Sequence, residues 1–185
     1  MKIAWGITGA GHYLPESIEM MEEFMKQGNH VDIFLSEAAE RVMEMYGVYN
    51  RVLKLHDLYK NEDVHIYYDK SQRPAYPICA RFNLHYYDCL IISPLTANSV
   101  AKINVGIADT LITNIFAQMI KGSGNVYAIP CDVVAGEVET QIPNGDKIKI
   151  HIDEFNANNA RAIAKFPHVK VFTHPQELAF LLKQK

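Results

Sequence analysis

The sequence predicts an α/β fold: one doubly wound, Rossmann-like (flavodoxin-like) domain with a parallel central sheet, spanning residues 1–185. Apolar runs of strand length alternate with amphipathic helical segments along most of the chain. That order builds a parallel sheet covered by helices on both faces. The chain opens on a strand, a glycine loop and a helix. A turn-centred alternating pattern at about residues 137–152 adds a C-terminal β-hairpin appendage.

The first half of the chain reads as two strand–helix units followed by a less regular stretch. Residues 3–8 are apolar enough for a strand buried on both faces. Pro15 suits the first turn of a helix, where its missing N–H costs nothing, and Gly28 suits the end of that helix. The remaining predicted elements are a strand at 31–35, a helix at 38–46, a helix at 52–59, a strand at 64–68 and a loop at 71–77.

The second half adds three further strands. Residues 90–92, 125–130 and 169–172 are predicted strands, and Pro175 opens a terminal helix. Residues 100–120 are predicted as a helix that breaks at Gly106. This segment is apolar nearly all round, and such a helix must be buried inside the domain or between subunits. The turn 143–146, Pro-Asn-Gly-Asp, centres the hairpin.

Composition excludes several function classes. The formal net charge of −3 leaves no basic excess for nucleic acid. No apolar run approaches the roughly 20 residues of a membrane span, so a soluble protein is expected. The three cysteines are widely spaced and odd in number, which favours the reducing cytoplasm over a disulfide framework. The eight histidines show no metal-binding spacing, and no metal site is predicted.

The first glycine loop is a candidate anion site. Thr8, Gly9, Ala10 and Gly11 stand between a strand and a helix, where glycine admits a phosphate close to the backbone and to free helical N–H groups. Leu14 replaces the third small residue of a dinucleotide fingerprint, which favours a mononucleotide. A plain tight turn between strand and helix explains the same residues.

Polar residues follow the second and fourth predicted strands as well. Ser36 comes directly after a strand and serves either as a phosphate ligand or as a helix N-cap. Residues 93–99 offer hydroxyl, amide and backbone donors that suit a polar cofactor ring or phosphate. An elaborate helix cap is the alternative for this second segment. The candidates in it are Ser93, Thr96, Ala97, Asn98 and Ser99.

The segment 94–109 resembles a known family. It contains Pro-Leu-Thr-Ala-Asn-Ser at 94–99, Ala-Lys-Ile at 101–103 and Gly-Ile-Ala-Asp at 106–109. That family is the flavoprotein family of FMN-containing cysteine decarboxylases, which also includes the UbiX-like prenyltransferases. The resemblance implies FMN, with Gly9, Ala10 and Ser36 near its phosphate and residues 96–99 along phosphate and ring. It places Cys131 and Asp132 beside the isoalloxazine.

The departures from the family pattern bear on the reaction. The decarboxylases carry a catalytic histidine where this chain has Cys-Ala-Arg at 79–81, and Pro-x-Met-Asn where it has Pro-Cys-Asp at 130–132. The prenyltransferases carry a lysine where Ala97 stands. The opening residues 4–12 and Pro-Cys-Asp resemble the redox-active branch, the archaeoflavoproteins and the acceptor-type dihydromethanopterin reductases.

The sequence therefore leads to a flavoprotein that takes electrons from a separate reduced ferredoxin, since the chain has no ferredoxin-type cysteine cluster. A dihydromethanopterin reductase is the alternative, and a flavin-dependent cysteine decarboxylase is a third. The catalytic residues stay open. A homo-oligomer is expected from the apolar surface of residues 100–120, and the family resemblance implies that it is built from trimers.

Overall fold

The computed structural model describes residues 1–60 and 63–183. Its centre is a parallel sheet of six strands in the order β3-β2-β1-β4-β5-β8. This is the strand order of a doubly wound Rossmann-type sheet, in which the order reverses between β1 and β4. The predicted fold class is confirmed. The strands are β1 (Lys2–Ile7), β2 (His30–Leu35), β3 (Ile66–Tyr68), β4 (Cys89–Leu95), β5 (Asn125–Pro130) and β8 (Val169–Val171).

Helices cover both faces of the sheet. Trp5 and Ile91 belong to the apolar cluster beneath α1, while Leu90 and Ile92 belong to the cluster beneath α7. Adjacent residues of one strand therefore serve opposite cores, as expected for strands buried on both faces. The helices are α1 (Leu14–Lys26), α2 (Glu37–Met45), α3 (Tyr49–Tyr59), α4 (Asp69–Gln72), α5 (Ala80–Asn83), α6 (Ala97–Asn104), α7 (Leu111–Lys121) and α8 (Glu154–Ala162).

The predicted helix at 100–120 is two helices, and its break at Gly106 is confirmed. The backbone of Gly106 has φ of +76°, a left-handed conformation that suits glycine. Thr110 then starts α7 through a reciprocal capping box with Thr113. The capping box satisfies N–H groups that the first turn of a helix leaves without partners.

The stretch predicted as a loop at 71–77 is helical at both of its ends. Helix α4 extends into it, and a 3₁₀ segment, Pro77–Cys79, begins at its end. The strand predicted at 64–68 begins at Ile66 instead, and the terminal helix at Pro175 is a 3₁₀ segment, Pro175–Lys183. Short 3₁₀ pieces often serve as connectors between longer elements. The part of the domain prediction that covers residues 61, 62, 184 and 185 lies outside the described residues.

The hairpin appendage is confirmed as β6 (Gly136–Gln141) and β7 (Lys147–Ile152), which pair antiparallel apart from the main sheet. Two polar contacts attach β6 to the first loop and to α2. The Tyr46 hydroxyl donates to the Gln141 carbonyl at 2.9 Å, and His12 Nδ1 lies 3.1 Å from Thr140 Oγ1. An isolated two-stranded hairpin is marginal in water, so these contacts position it.

Over residues 1–60 and 63–183, the helices are all too short or too polar to traverse a lipid bilayer.

Candidate functional site

A cavity of about 310 Å³ opens at the carboxyl ends of the central strands. Ligands of open α/β sheets bind at this edge, beside the point where the strand order reverses. The loops after β1, β2 and β4 all reach the cavity, as does the segment after β3. Its lining residues are Thr8, Gly9, Ser36, Glu37, Ala38, Asp69, Arg73, Thr96, Asn98, Ser99 and Thr110.

Thr8 joins the two loops that frame this cavity. Its hydroxyl donates to the Pro94 carbonyl at 2.8 Å and accepts from the Thr96 N–H at 2.8 Å. Its own N–H also donates to the Pro94 carbonyl, at 3.2 Å. Because the hydroxyl proton is already used, Thr8 acts by fixing the loop after β4 against the loop after β1.

Gly9 is required by the packing of the first loop against α2. A Cβ placed on Gly9 would lie 2.5 Å from the Cβ of Ala38 and 3.0 Å from the Ala38 carbonyl carbon. The first turn of α2 therefore sits directly against the loop. The glycine brings the loop backbone and the start of α2 to the same cavity.

The cap role expected for Ser36 is confirmed, and its role as a phosphate ligand stays a prediction. Its Oγ accepts from the Ala39 N–H at 3.1 Å and caps α2. An oxygen that accepts in the cap still carries a hydroxyl proton. Since Ser36 lines the cavity, that proton can be donated to an anion near the positive end of α2.

The loop after β4 is a helix cap that also lines the cavity. Thr96 Oγ1 accepts from the Ser99 N–H at 3.3 Å and donates to Ser99 Oγ at 3.1 Å. Asn98 is exposed in the first turn of α6 and lines the cavity. Its amide can both donate and accept, so it can meet a ligand edge of either polarity. The cap alternative is confirmed for Thr96, and a ligand role for Asn98 and Ser99 stays a prediction.

The sequence-based search missed a charged group at this cavity. Arg73 donates from Nε to Asp69 at 2.8 Å and pairs with Glu37 at 3.3 Å. Asp69 is fully buried and also accepts the Leu111 N–H at 2.9 Å, at the start of α7. Thr110, the α7 N-cap, lines the same cavity. The i, i+4 spacing of Asp69 and Arg73 is the sequence signal for this pair, and the predicted loop at 71–77 hides it because Arg73 lies in that loop.

Six predicted site residues lie outside the lining of this cavity: Cys131 and Asp132, which follow β5, and four residues at the two framing loops. Ser93 is fully buried, and its hydroxyl lies 2.6 Å from that of Ser17 under α1. Gly11 borders a different cavity beside the hairpin. Ala10 and Ala97 stand in the two framing loops. A direct ligand contact for these four stays a prediction.

Cys131 and Asp132 directly follow β5, and Cys131 contacts the loop after β1 at His12. The Cys131 thiol donates to the His12 carbonyl over 3.6 Å, and burial raises the pKa of this thiol. Burial also raises the pKa of the half-buried Asp132, although His12 opposes the shift. Their place beside a flavin ring stays a prediction.

The donor set fits a phosphorylated ligand. The cavity offers the hydroxyl of Ser36, the amide of Asn98, the guanidinium of Arg73 and the N-termini of three helices, α2, α6 and α7. Helix N-termini and guanidinium groups are the usual phosphate partners in proteins. Over the part of the chain that the structure describes, no group of three or more His, Cys, Asp and Glu side chains is arranged to hold a metal ion.

Two curated relatives of the chain are similar to it over most of its length. It is 34% identical over 179 residues to an uncharacterized protein of Methanocaldococcus jannaschii, covering 96% of this chain and 92% of that one. It is 37% identical over 144 residues to a dihydromethanopterin reductase (acceptor) of Methanosarcina mazei. That match covers 77% of this chain and 59% of the reductase, so the chain spans about three-fifths of the reductase length.

Solved structures share the fold. The crystal structure of Burkholderia xenovorans DmrB in complex with FMN, described as a cubic protein cage for redox transfer, superposes with a TM-score of 0.78 at 30% identity. That match covers 99% of this chain and 93% of DmrB. A dodecameric FMN-dependent UbiX-like decarboxylase of Escherichia coli O157:H7 superposes with a TM-score of 0.67 at 16% identity, covering 94% and 80% of the two chains. At that identity it shows the fold alone.

The family resemblance carried by residues 94–109 is confirmed by a family model that matches most of the chain. The model, described as Flavoprotein, covers residues 1–179. The loops after β1, β2 and β4 that build the cavity all fall inside the match. This chain belongs to the Flavoprotein family.

Proposed function

We propose that this protein is an FMN-dependent redox flavoprotein that accepts electrons from reduced ferredoxin and passes them to a separate acceptor. The observation that carries the proposal is the cavity at the carboxyl edge of the sheet, with its hydroxyl, amide and guanidinium donors. A chain of the same family, 30% identical, was crystallised with FMN. FMN supplies the redox chemistry when bound, and the protein sets its position and access.

The phosphate end of FMN belongs at Ser36 and Arg73. The Ser36 hydroxyl donates into the cavity beside the N-terminus of α2, which favours negative charge. Arg73 is held at the cavity by the buried Asp69, so its guanidinium is already oriented. Its second partner, Glu37, is an exposed carboxylate whose pairing at 3.3 Å is weak enough to yield to a phosphate.

Decarboxylation is the less favoured chemistry. The decarboxylase histidine position corresponds to residues 79–81, where burial raises the pKa of Cys79 to about 12. A thiol with that pKa stays protonated near neutrality. Arg81 donates to the Tyr67 hydroxyl at 3.0 Å and lies over the Tyr86 ring. This segment packs against the aromatic core and offers no acid or base that titrates near pH 7.

A dihydropterin reductase is the second candidate. The relatives from M. mazei and M. jannaschii named dihydromethanopterin reductase (acceptor) are 37% and 38% identical to this chain. In this version of the proposal, the electrons taken from ferredoxin end on a dihydropterin. The described residues hold three free cysteines, and the reducing cytoplasm is the compartment that we propose.

We also propose a homo-oligomer built from trimers. Val105 and Ile107, in the connection between α6 and α7, are 71% and 47% exposed. Ile107 lines a mostly apolar cavity of about 220 Å³ together with Phe116 and Phe166. Solved relatives are described as a cubic cage and a dodecamer. Light scattering on the flavin-loaded protein should give a mass well above 21.0 kDa, and a monomer that retains flavin would contradict this part.

The cofactor and the electron donor are tested in sequence. The purified protein should be yellow, and mass spectrometry of the released cofactor should find FMN. Stopped-flow mixing with reduced ferredoxin should bleach the flavin absorbance faster than mixing with NADH or NADPH. Addition of a dihydropterin to the reduced protein should restore the absorbance if the second candidate is correct. A colourless protein that binds no added FMN would contradict the proposal.

A matched pair of arginine variants locates the phosphate. Arg73→Met should weaken FMN binding about tenfold or more, since a hydrogen bond to a charged group contributes about 1.5–3 kcal/mol. Riboflavin, which has no phosphate, should bind both proteins alike. Arg41→Met is the matched control. It removes the same positive charge from the exposed surface of α2, where the Arg41 side chain is 81% exposed and does not line the cavity. It should leave FMN affinity unchanged.

A further inference from the structure

The cavity at the carboxyl edge of the sheet has an excess of negative side chains. Among the described residues that line it, Arg73 is the single cation, whereas Asp69 and Glu37 are both carboxylates. The Arg73 guanidinium contacts both of them, with Nε 2.8 Å from Asp69 Oδ1 and a terminal nitrogen 3.3 Å from Glu37 Oε2. A phosphate that pairs with Arg73 therefore competes with a carboxylate that is already in place.

Asp69 is the carboxylate that a phosphate cannot displace. Its side chain is only 1% exposed. It accepts the Leu111 N–H at 2.9 Å and the Tyr76 hydroxyl at 3.3 Å, in addition to Arg73 Nε. Moving this carboxylate would leave buried donors without a partner, which costs more than the hydrogen bonds themselves contribute. Asp69 therefore stays in place and fixes the Nε side of the guanidinium.

Glu37 is the carboxylate that can move. Its side chain is 63% exposed, and among the described residues its ion pair is the one with Arg73. Exposed ion pairs of this kind stabilise a protein little, because water screens the charges and solvates both groups when they separate. Rotation of the Glu37 side chain into solvent would therefore release the terminal nitrogens of Arg73 at low cost.

The position of Glu37 places its charge where an anionic ligand would be bound. Glu37 is the first residue of α2 and directly follows the N-cap Ser36. The N-terminus of a helix favours negative charge, and a guanidinium pairs with carboxylates and phosphates through the same N–H donors. The Glu37 carboxylate thus already uses the two positive features of the cavity, the start of α2 and Arg73.

We propose that Glu37 is an internal competitor of the cofactor phosphate: it yields Arg73 to the phosphate when FMN binds and pairs with Arg73 again when FMN leaves. The inference rests on the proposed function, because it takes FMN as the phosphorylated ligand. A phosphate monoester carries roughly −1.5 to −2 charges at pH 7, more than a carboxylate, so the exchange favours binding. The competition weakens FMN binding and keeps it reversible. Riboflavin binding is unaffected, because riboflavin has no phosphate to exchange.

Titration of the full chain with FMN and with riboflavin, followed by flavin fluorescence, tests the competition. Glu37→Gln keeps the length of the side chain and removes its charge, so the FMN dissociation constant should fall roughly threefold or more. The riboflavin dissociation constant should not change. Glu40→Gln is the matched control, since Glu40 also lies in the first turn of α2 and pairs with α4, through Lys70 at 3.3 Å, but does not line the cavity. It should change neither constant.

A double variant shows whether Glu37 acts through Arg73. In the Arg73→Met background, Glu37→Gln should no longer tighten FMN binding, because the two substitutions remove the two ends of one contact and their effects are not additive. FMN binding that is unchanged or weaker in Glu37→Gln would overturn the inference, since Glu37 would then be neutral or would help to position Arg73. An equal gain in Glu40→Gln would overturn it as well, because the cause would be general charge removal.

Calorimetric titration with inorganic phosphate separates this inference from the proposed function. Glu37→Gln should bind inorganic phosphate roughly threefold more tightly than the parent protein. If the protein binds no FMN but Glu37→Gln still tightens phosphate binding, the inference holds for another phosphorylated ligand while the proposed function fails. If the parent and Glu37→Gln bind FMN with equal affinity, the proposed function stands and the inference fails. Binding of neither FMN nor inorganic phosphate would overturn both.

Discussion

The contact between the first loop and α2 makes Gly9→Ala a sharp test of how the cavity at the carboxyl edge of the sheet is built. The added methyl would lie 2.5 Å from the Ala38 Cβ, 3.0 Å from the Ala38 carbonyl carbon and 3.1 Å from its oxygen. Carbon atoms in contact prefer about 3.5–4.0 Å, so the loop and the helix must separate by about 1 Å. Two of the three close atoms are backbone, which cannot rotate away.

The expected cost is that of overpacking, about 1–3 kcal/mol of the free energy of unfolding. The displaced loop also carries Thr8, which ties the loops after β1 and β4 together. FMN affinity should therefore fall at least tenfold, since a shift of about 1 Å is enough to misplace binding groups. Urea unfolding at fixed protein concentration and FMN titration measure the two effects.

Ala38→Gly supplies the rescue. It removes the atom at 2.5 Å and leaves the contacts at 3.0 and 3.1 Å, so the double variant should recover part of the loss. Alone, Ala38→Gly should cost at most about 1 kcal/mol from helix propensity. The two substitutions should therefore be non-additive by about 1 kcal/mol. A Gly9→Ala protein within about 0.5 kcal/mol of the parent, or a double variant with the summed loss, would refute the reasoning.

Three further predictions follow from the same region. Asp69→Asn should lower the free energy of unfolding by about 1 kcal/mol, because a neutral amide replaces the buried carboxylate that accepts the Leu111 N–H at the start of α7. Urea titration measures this change, and an unchanged free energy of unfolding would contradict it. Asn98→Leu should weaken FMN retention about tenfold without changing the far-UV spectrum, and full occupancy after gel filtration would contradict it. Burial lowers the folded-state pKa of His12, so folding favours its neutral form. The stability from this group is fully present above about pH 6.5 and is lost as the pH falls below that value. The loss of stability at low pH should be smaller in His12→Asn, and identical pH–stability profiles of the two proteins would disprove this.

Local patterns explain why the strands and the hairpin could be predicted. The strands at 31–35, 90–92 and 125–130 are apolar because both faces of a parallel sheet are covered. The Pro-Asn-Gly-Asp turn at 143–146 lies between β6 and β7 as its turn chemistry requires. Each of these signals is complete within about ten residues of sequence.

The site was predictable only in part. The loops after β1, β2 and β4 were found because parallel strands bring their carboxyl ends to one edge. Ser93 was included with them because it stands in the same motif, yet its side chain turns under α1 to meet Ser17. The direction of one side chain at a strand end depends on the helix packed over it, which no local pattern encodes.

The sequence by itself determined the α/β class, the edge of the sheet where the loops form a cavity, and the family. It could do so because strand and helix periodicities and the 94–109 motif are local properties of the chain. Only the tertiary structure decided that Asp69 orients Arg73 at that cavity, and that His12 and Tyr46 hold the hairpin against the first loop and the end of α2. These groups meet through contacts between segments far apart in the chain, where packing, rather than periodicity, selects the neighbours.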